Sequence, residues 1–452
     1  MKVAVIGTGY VGLTTGVVLG FLGHEVVGVD KDPAKLDMLR AGKSPIHELG
    51  LNELLALSKN RISFSDDTTT VVRDSDVIII AVGTPSQSSG AVDVSYVEQA
   101  ALEIAGGLES GRDYTVVVKS TVPIGTNRRV AYVMLRTLEE RGVIANLSFA
   151  SNPEFLREGK ALFDTLYPDR IVVGSKSAKA RDSMRSLYER ILSQSFTPPS
   201  FLARERGYSA PAIVETDPTS AEMIKYAANA FLAVKISFIN EIGGLCDRAG
   251  ADVTEVSRGI GLDQRIGPLF LNAGLGWGGS CFPKDTLGLI GLASEYGYTM
   301  PVVTAAREVN QRQQQVIVEK LQSELKVLRG RVIALLGLAF KPDTDDVRYS
   351  PALGIIQKLA EFGAIIRVTD PIAMANAKAE LANLTVEYIE DPYEAVRGAD
   401  AFVLTTEWGI YRDLDLGRVA KAMRTPVLID GRNLYEPETA TEAGLRYTGV
   451  GR

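Results

Sequence analysis

The segment VAVIGTGYVGL, residues 3–13, decides the reading of the whole chain. KVAVI is a short apolar run of the kind that forms a strand buried on both faces. Gly7, Gly9 and Gly12 follow at the spacing GxGxxG. Apolar residues then recur through Val17, Val18, Leu19 and Leu22 as on a helix, and a second run, EVVGVD, ends at Asp30. The order is strand, glycine turn, helix, strand, acid. Each glycine has a physical task there. Gly7 permits the tight turn, Gly9 leaves room for a pyrophosphate against the backbone, and Gly12 lets the helix lie close to the strand. The helix N-terminus offers unbonded N–H groups and a positive dipole end to the phosphate. Asp30, 23 positions after Gly7, stands where a carboxylate accepts from ribose hydroxyls and repels a 2′-phosphate, which favours NAD over NADP. A bare strand–helix turn without ligand is the alternative that this context makes weak.

The pattern continues outward. DVIIIAVGTPS (76–86), YTVVVKST (114–121) and LSFASNPEF (147–155) are further strands with helical stretches between them. Such alternation predicts a parallel, doubly wound sheet whose ligands sit beyond the C-terminal strand ends. Thr84, Thr121 and Glu154 all fall just past those ends. Each taken alone also suits a turn or helix cap. From Val332 the plan restarts without GxGxxG: GRVIALLGLAFKPDTDD, IIRVTDP, AFVLTTE and PVLIDGRN supply strands. Lys341 in the first turn, Arg348 beyond it and Arg432 after a later strand suit phosphates of a second nucleotide, or are surface charges.

Between the two sheets, residues 216–250 predict one helix near 30 residues, about 45 Å long, capped by Asp217 or Thr219 with Pro218 in its first turn. Its length suits a spine between domains or a dimer interface. Lys225 and Asn229 are four apart and share a face. A lysine in that place could equally snorkel to water. Cys246 follows Phe238, Ile242 and Leu245 and reads as packing. The other cysteine is different. LDQRIGPLFLNAGLGWGGSCFPKD holds five glycines from Gly267 to Gly279, and Cys281 lies beside Lys284 and Asp285. A nearby cation favours the thiolate and so a nucleophile; a turn cysteine packed inward is the competing reading.

Composition narrows the function classes. Of 452 residues, 46% are apolar and 23% charged, with a net charge of −6 and no basic block. This weighs against a nucleic-acid or membrane-surface protein. No apolar run reaches the ~18 residues of a membrane span, and no secretory leader is expected, so the chain is expected to be cytoplasmic. Two cysteines cannot build a disulfide framework. Two histidines make a histidine-centred hydrolase or a histidine metal site improbable, and no metal is expected. Residues 193–217, rich in Pro, Ser and charge, read as a surface insertion.

Taken together, VAVIGTGYVGL, VGTPS, KSTVPIGT, SNPEFLREG, EMIKYAANAFLAVKISFINEI, FLNAGLGWGGSCFPKD, GLAFKPDTDDVR and DGRN, in this order, resemble the UDP-glucose/GDP-mannose dehydrogenase family over nearly the whole length. The resemblance implies an α/β fold of two Rossmann-like doubly wound parallel-sheet domains joined by a long central helix. The expected division is an NAD-binding domain (1–215), a central helical domain with the cysteine loop (216–325) and a nucleotide-sugar domain (326–452). It implies four-electron, NAD-dependent oxidation of the C6 alcohol of UDP-glucose to UDP-glucuronate through an aldehyde, a thiohemiacetal and a thioester on Cys281, then hydrolysis. The same chemistry on dTDP-glucose, GDP-mannose or a UDP-N-acetylhexosamine is the alternative. Carried over, Cys281 is the nucleophile. Lys225 and Asn229 stabilise oxyanions, Asp285 organises Lys225 and a water, and Glu154 and Thr121 position water. Substrate positions match Glu154, Phe155, Leu156, Arg157, Glu158, Lys225, Asn229, Phe270, Leu271, Asn272, Ala273, Gly274, Gly278, Lys341 and Arg432. Arg265 matches a residue that in some members reaches a neighbouring subunit's site, so a homodimer or larger homo-oligomer is expected. Besides Gly7, Gly9, Gly12 and Asp30, NAD positions match Tyr10, Val11, Lys35, Thr84, Thr121, Glu158, Lys284 and Arg348.

Overall fold

A computed structural model describes residues 1–85 and 90–452; Ser86, the last residue of the VGTPS segment, lies outside them. The chain forms two compact units, Met1–Ala227 and Ala228–Arg452. The boundary falls inside one continuous helix, Pro218–Ala249, of 32 residues. Asp217 caps this long helix by accepting from Ser220 N at 3.0 Å.

In the first unit the described residues build an eight-stranded sheet. Its strands are β1 (Lys2–Ile6), β2 (Glu25–Val29), β3 (Ile62–Ser65), β4 (Val77–Ile80), β5 (Asp113–Val118), β6 (Asn146–Ser151), β7 (Arg170–Gly174) and β8 (Ala212–Thr216). They lie in the order β3-β2-β1-β4-β5-β6-β7-β8. All neighbours are parallel except β6 and β7, which touch antiparallel through Ser151 and Gly174. The order reverses between β1 and β4, which opens the crevice where such sheets bind ligands. β4 is buried along its whole length, with apolar cores on both faces of the sheet. That is why its sequence, VIII, does not alternate.

The segment read as an insertion is in part structural. Ala212–Thr216 is the edge strand β8, paired in parallel with β7. Phe196, Leu202 and Tyr208 pack against the apolar core. None of the β8 residues is buried, as on an edge strand, where apolar periodicity is weak.

In the second unit a six-stranded, wholly parallel sheet has the order β11-β10-β9-β12-β13-β14. Its strands are β9 (Val332–Leu336), β10 (Ile365–Thr369), β11 (Val386–Tyr388), β12 (Ala401–Leu404), β13 (Val427–Asp430) and β14 (Arg446–Thr448). Both sheets are therefore Rossmann-like, and the restart seen at Val332 is a true repeat of plan. Cys246 is buried in this unit's core.

Candidate active site

The dinucleotide turn has the geometry its sequence demands. Gly7 has φ +97°. A Cβ on Gly12 would come 1.9 Å from the Gly7 carbonyl oxygen, so only glycine fits. Gly9 caps the helix Tyr10–Phe21 without any side chain bonded to the first N–H groups. A Cβ at Gly9 would meet nothing within 4 Å. Bare N–H groups and open space in front of them fit a pyrophosphate.

Asp30 stands at the end of β2, where its Oδ2 accepts from Thr8 N (2.9 Å) and Thr8 Oγ1 (2.7 Å). Burial pushes the Asp30 carboxyl up, but the Thr8 and Asp32 donors and the Lys35 ammonium outweigh it and hold it below its usual range. Lys35 Nζ lies 4.0 Å away. A fixed, ionised acceptor beside the turn fits a ribose diol. The counterpart in the second sheet, Asp370, is buried and bonded to Leu338 N, Ala339 N and Trp408 Nε1. These protein donors occupy it, and the first turn of this sheet carries no GxGxxG.

Tyr10, in the first turn of the dinucleotide helix, donates its hydroxyl to Glu48. Gly159 N in turn donates to the Tyr10 hydroxyl (2.6 Å) and to Glu48 Oε2 (2.8 Å). Glu48 thus ties the glycine turn to the end of the segment Glu154–Glu158. Burial raises its carboxyl above the ordinary range despite these donors.

At the C-terminal ends of β5 and β6 a small cavity is lined by Ser120, Thr121, Ser151, Glu222 and Lys225, with Val118, Val122 and Pro153. Thr121 O accepts from Thr84 Oγ1 at 2.9 Å. Lys225 Nζ is 2.9 Å from Glu154 Oε1, with side chains only 4% and 7% exposed. Glu154 Oε2 accepts from Leu156 N at 2.6 Å. Burial alone would raise the Glu154 carboxyl; Lys225, then Leu156 N and the Lys119 charge, hold it below its usual range. The ammonium also lies 5.5 Å from the Phe155 ring, whose other contact is Arg170 at 3.8 Å. Arg157 is occupied by Asp164, with Nη2–Oδ1 at 2.6 Å. Glu222 accepts from Gly125 N and Asn127 N at 2.6 and 2.8 Å, and its burial pushes its carboxyl up. It sits three residues before Lys225 on the same helical face, the one sequence signal that pointed to it.

In the second unit the cysteine loop is strapped down by side chains. Gly274 N donates to Asn240 Oδ1 (2.7 Å), Trp277 N to Asn310 Oδ1 (2.7 Å), and Trp277 Nε1 to Ser237 Oγ (3.0 Å). Gly278 has no room for a Cβ, which would lie 2.3 Å from Tyr349 O. Phe270 holds a positive φ of 63°; Leu271 and Ala273 are buried and Asn272 is exposed. Cys281 is the cap residue of the helix Phe282–Glu295 and is partly exposed, with Ser280 Oγ 3.6 Å from its Sγ. The positive end of that helix favours charge on sulfur.

Asp285 lies one turn into the same helix and is 1% exposed. Its Oδ2 accepts from Asn229 Nδ2 at 2.6 Å, and its Oδ1 is 3.2 Å from Lys284 Nζ. Within the second unit Asp285 thus accepts from Asn229 and lies beside Lys284, and within the first unit Lys225 pairs with Glu154. Beyond β13, Arg432 donates to Thr405 O (2.9 Å), Gly276 O (3.3 Å) and Phe340 O (3.2 Å), bracing the loop against the strand ends. Lys341 Nζ lies 5.6 Å from the Phe340 ring, and Arg348 pairs with Asp346 at 2.6 Å. Arg265 pairs with Asp263 and has its side chain 88% exposed.

Comparison with known proteins agrees with this geometry. Three models of the UDP-glucose/GDP-mannose dehydrogenase family match in order: the NAD binding domain at 1–192, the central domain at 219–312 and the UDP binding domain at 334–437. A protein of Rhizobium meliloti (strain 1021) named UDP-glucose 6-dehydrogenase is 45% identical over 459 residues, covering 100% of both chains. The chain belongs to the UDP-glucose/GDP-mannose dehydrogenase family. It is an NAD-dependent oxidoreductase, and the turn at Gly7–Gly12 lies within the part matched by the NAD binding domain. Among solved structures, a UDP-glucose dehydrogenase from the hyperthermophilic archaeon Pyrobaculum islandicum is similar with a TM-score of 0.87 and 41% identity, covering 99% of this chain and 97% of that one. A UDP-D-ManNAc dehydrogenase from Pyrococcus horikoshii has a TM-score of 0.84 and 27% identity, covering 100% and 99%. Like other family members the chain takes a nucleotide-sugar substrate. Among the described residues no helix is long and apolar enough to cross a membrane.

Proposed function

We propose that the chain oxidises the C6 alcohol of UDP-glucose to the carboxylate of UDP-glucuronate, with Cys281 carrying the carbon between the two oxidations. The carrying observation is the placement of Cys281 as the cap of a helix whose Asp285 holds Asn229 at 2.6 Å. Full-length identity of 45% to the Rhizobium meliloti protein supports UDP-glucose as the sugar. NAD, when bound, accepts a hydride in each of the two oxidations.

The remaining chemistry belongs to the chain. The Cys281 sulfur adds to the aldehyde carbon, and the carbonyl electron pair becomes an alkoxide. Lys225 and Asn229, one turn apart on one face of the long helix, offer an ammonium and an amide to that oxyanion. Once the adduct is oxidised to a thioester, a water adds to its carbonyl carbon. Glu154, held ionised, takes the water's proton, aided by Thr121. The C–S bond then breaks, and the thiolate returns to the helix N-terminus as the acid leaves. Glu154–Glu158, Phe270–Gly274, Gly278, Lys341 and Arg432 contact the sugar nucleotide in this reading. Tyr10, Val11, Lys35, Thr84, Glu158, Lys284 and Arg348 complete the NAD contacts. The chain works as three parts, 1–215, 216–325 and 326–452.

The protein also acts as a homodimer in this reading. Phe231, Phe238 and Leu245 are exposed at seven-residue spacing on the long helix, an apolar stripe of the kind a second copy covers.

A panel of UDP-glucose, dTDP-glucose, GDP-mannose and UDP-N-acetylmannosamine, followed by NADH release, tests the substrate. UDP-glucose is expected to give the highest kcat/KM, and Cys281→Ser to form no acid from it. Preference for GDP-mannose or the acetylated sugar, or acid formation by Cys281→Ser, would overturn the reading.

A further inference from the structure

Lys119 is a charged group that the reaction described above does not use. It follows β5 and is 6% exposed. Its ammonium donates to Asn152 Oδ1 at 3.1 Å and to the Tyr188 hydroxyl at 3.5 Å, and lies 6.0 Å from the Tyr188 ring centroid. All of these partners are neutral. Among the described residues no carboxylate forms an ion pair with it. A buried ammonium without an ionic partner is costly, and a methionine or leucine would fill the same space without that cost.

The position of Lys119 is also rigid. Asn152, buried, receives the Tyr188 hydroxyl at 2.6 Å and donates to Val172 O at 2.8 Å. Two residues further along the same turn stands Glu154. The charged groups near Glu154 are therefore Lys225 in contact, Lys119 through its bond to Asn152, Glu222 in the lining of the same small cavity as Lys225, and Arg170 against the Phe155 ring.

We propose that Lys119 is a positioning residue that fixes the charge of Glu154 independently of Lys225. The inference rests on the reading of Glu154 as the base of the hydrolytic step. That step asks two things of one ammonium. Lys225 neutralises Glu154 while the site is at rest, and it must turn its charge to an oxyanion when the sulfur or the water adds. A fully buried carboxylate losing its only cation would take up a proton and cease to act as a base. Lys119 supplies a standing positive charge that does not move with the substrate, because Asn152 and Tyr188 hold it. The Lys119 charge does lower the affinity of Glu154 for a proton. Asn152 is the tether: its Oδ1 collects both the ammonium and the tyrosine hydroxyl.

The test measures kcat for UDP-glucose oxidation from pH 5.5 to 9.5 with the full-length chain and four variants. Lys119→Met removes charge and donor, Lys119→Gln keeps a donor toward Asn152 without charge, and Lys119→Arg keeps the charge. Glu154→Gln reports on the base itself. For Met and Gln the acid limb is expected to move to higher pH, so that kcat falls about tenfold near pH 6 and much less at pH 9, one pH unit of limb being tenfold in rate. Lys119→Arg should restore the limb, and the KM values for NAD and UDP-glucose should hold. A loss by the same factor at every pH would assign Lys119 to the fold through Asn152 and overturn the proposal. So would failure of both Met and Gln to fold while Arg folds. If Glu154→Gln keeps turnover with its acid limb in place, the base reading fails. If it abolishes acid formation while the limb of the Lys119 variants stays put, only this inference falls.

Discussion

Replacing Lys225 with methionine isolates a deeply buried ion pair of the first unit. The ion pair is short, 2.9 Å, and both side chains are almost fully withdrawn from water. Methionine keeps the length and apolar stem and removes the charge. The Glu154 carboxylate is then buried with Leu156 N and the distant Lys119 charge as its remaining support. Breaking one partner of such a pair costs about 3–5 kcal/mol. At about 2–4 °C per kcal/mol, the melting temperature should drop by roughly 6–20 °C. The sign of the pH dependence follows from the direction of the shift. In the parent, Glu154 titrates below its unfolded value, so its contribution is fully present above that value and is lost as pH falls through the folded one. In the variant, burial without the cation moves the folded value up. The gap between parent and variant must therefore widen as pH rises from about 5 to 8 and shrink on the acid side. Thermal scans at four pH values measure this. A gap below ~1 kcal/mol, or one independent of pH, would refute the claim that Lys225 sustains an ionised Glu154.

Two further predictions concern other sites. Asp30→Ala removes a charged acceptor and the tether from Thr8; loss of hydrogen bonds to a charged group is expected to weaken NAD binding about 10–150-fold. Fluorescence titration with NAD would show it, with the KM for UDP-glucose unchanged; unaltered NAD affinity would remove Asp30 from the ribose. Phe238→Arg puts a charge in the exposed stripe of the long helix, and light scattering should give a monomer with an unchanged thermal midpoint for each unit. A dimer of parental strength would place the contact elsewhere.

The parts of the fold legible in the sequence are those with strong local physics. β1, the glycine turn and β2 read correctly because three steric demands and one carboxylate coincide within residues 2–30. β4, β5, β9 and β13 are wholly or nearly buried, and unbroken apolar runs announce them. The long helix was legible from 3.6-residue periodicity without a proline inside it. β3, β11 and β14 were not: each is three or four residues and sits at a sheet edge, with most or all of its side chains not fully buried. β8 hid in a stretch rich in proline and charge because an edge strand needs little apolar surface. At the site, Lys225 and Asn229 stood out as polar groups sharing one helical face. Glu154, past a strand end, and Asp285, beside Cys281, stood out too, but the pairings Lys225–Glu154 and Asn229–Asp285 did not, since they span 71 and 56 residues. Lys119 and Glu48 went unread for the same reason, since each matters through burial and a distant backbone or side chain; Glu222 had only its spacing from Lys225 to mark it.

The central claim is that one thiol carries the substrate through two oxidations. Counting NADH released per UDP-glucose consumed, with the product identified by mass, tests it most directly. The account predicts two NADH per sugar, UDP-glucuronate as the only free product, and no UDP-glucuronate from Cys281→Ser. One NADH per sugar with a free aldehyde, or full turnover without the Cys281 sulfur, would contradict it.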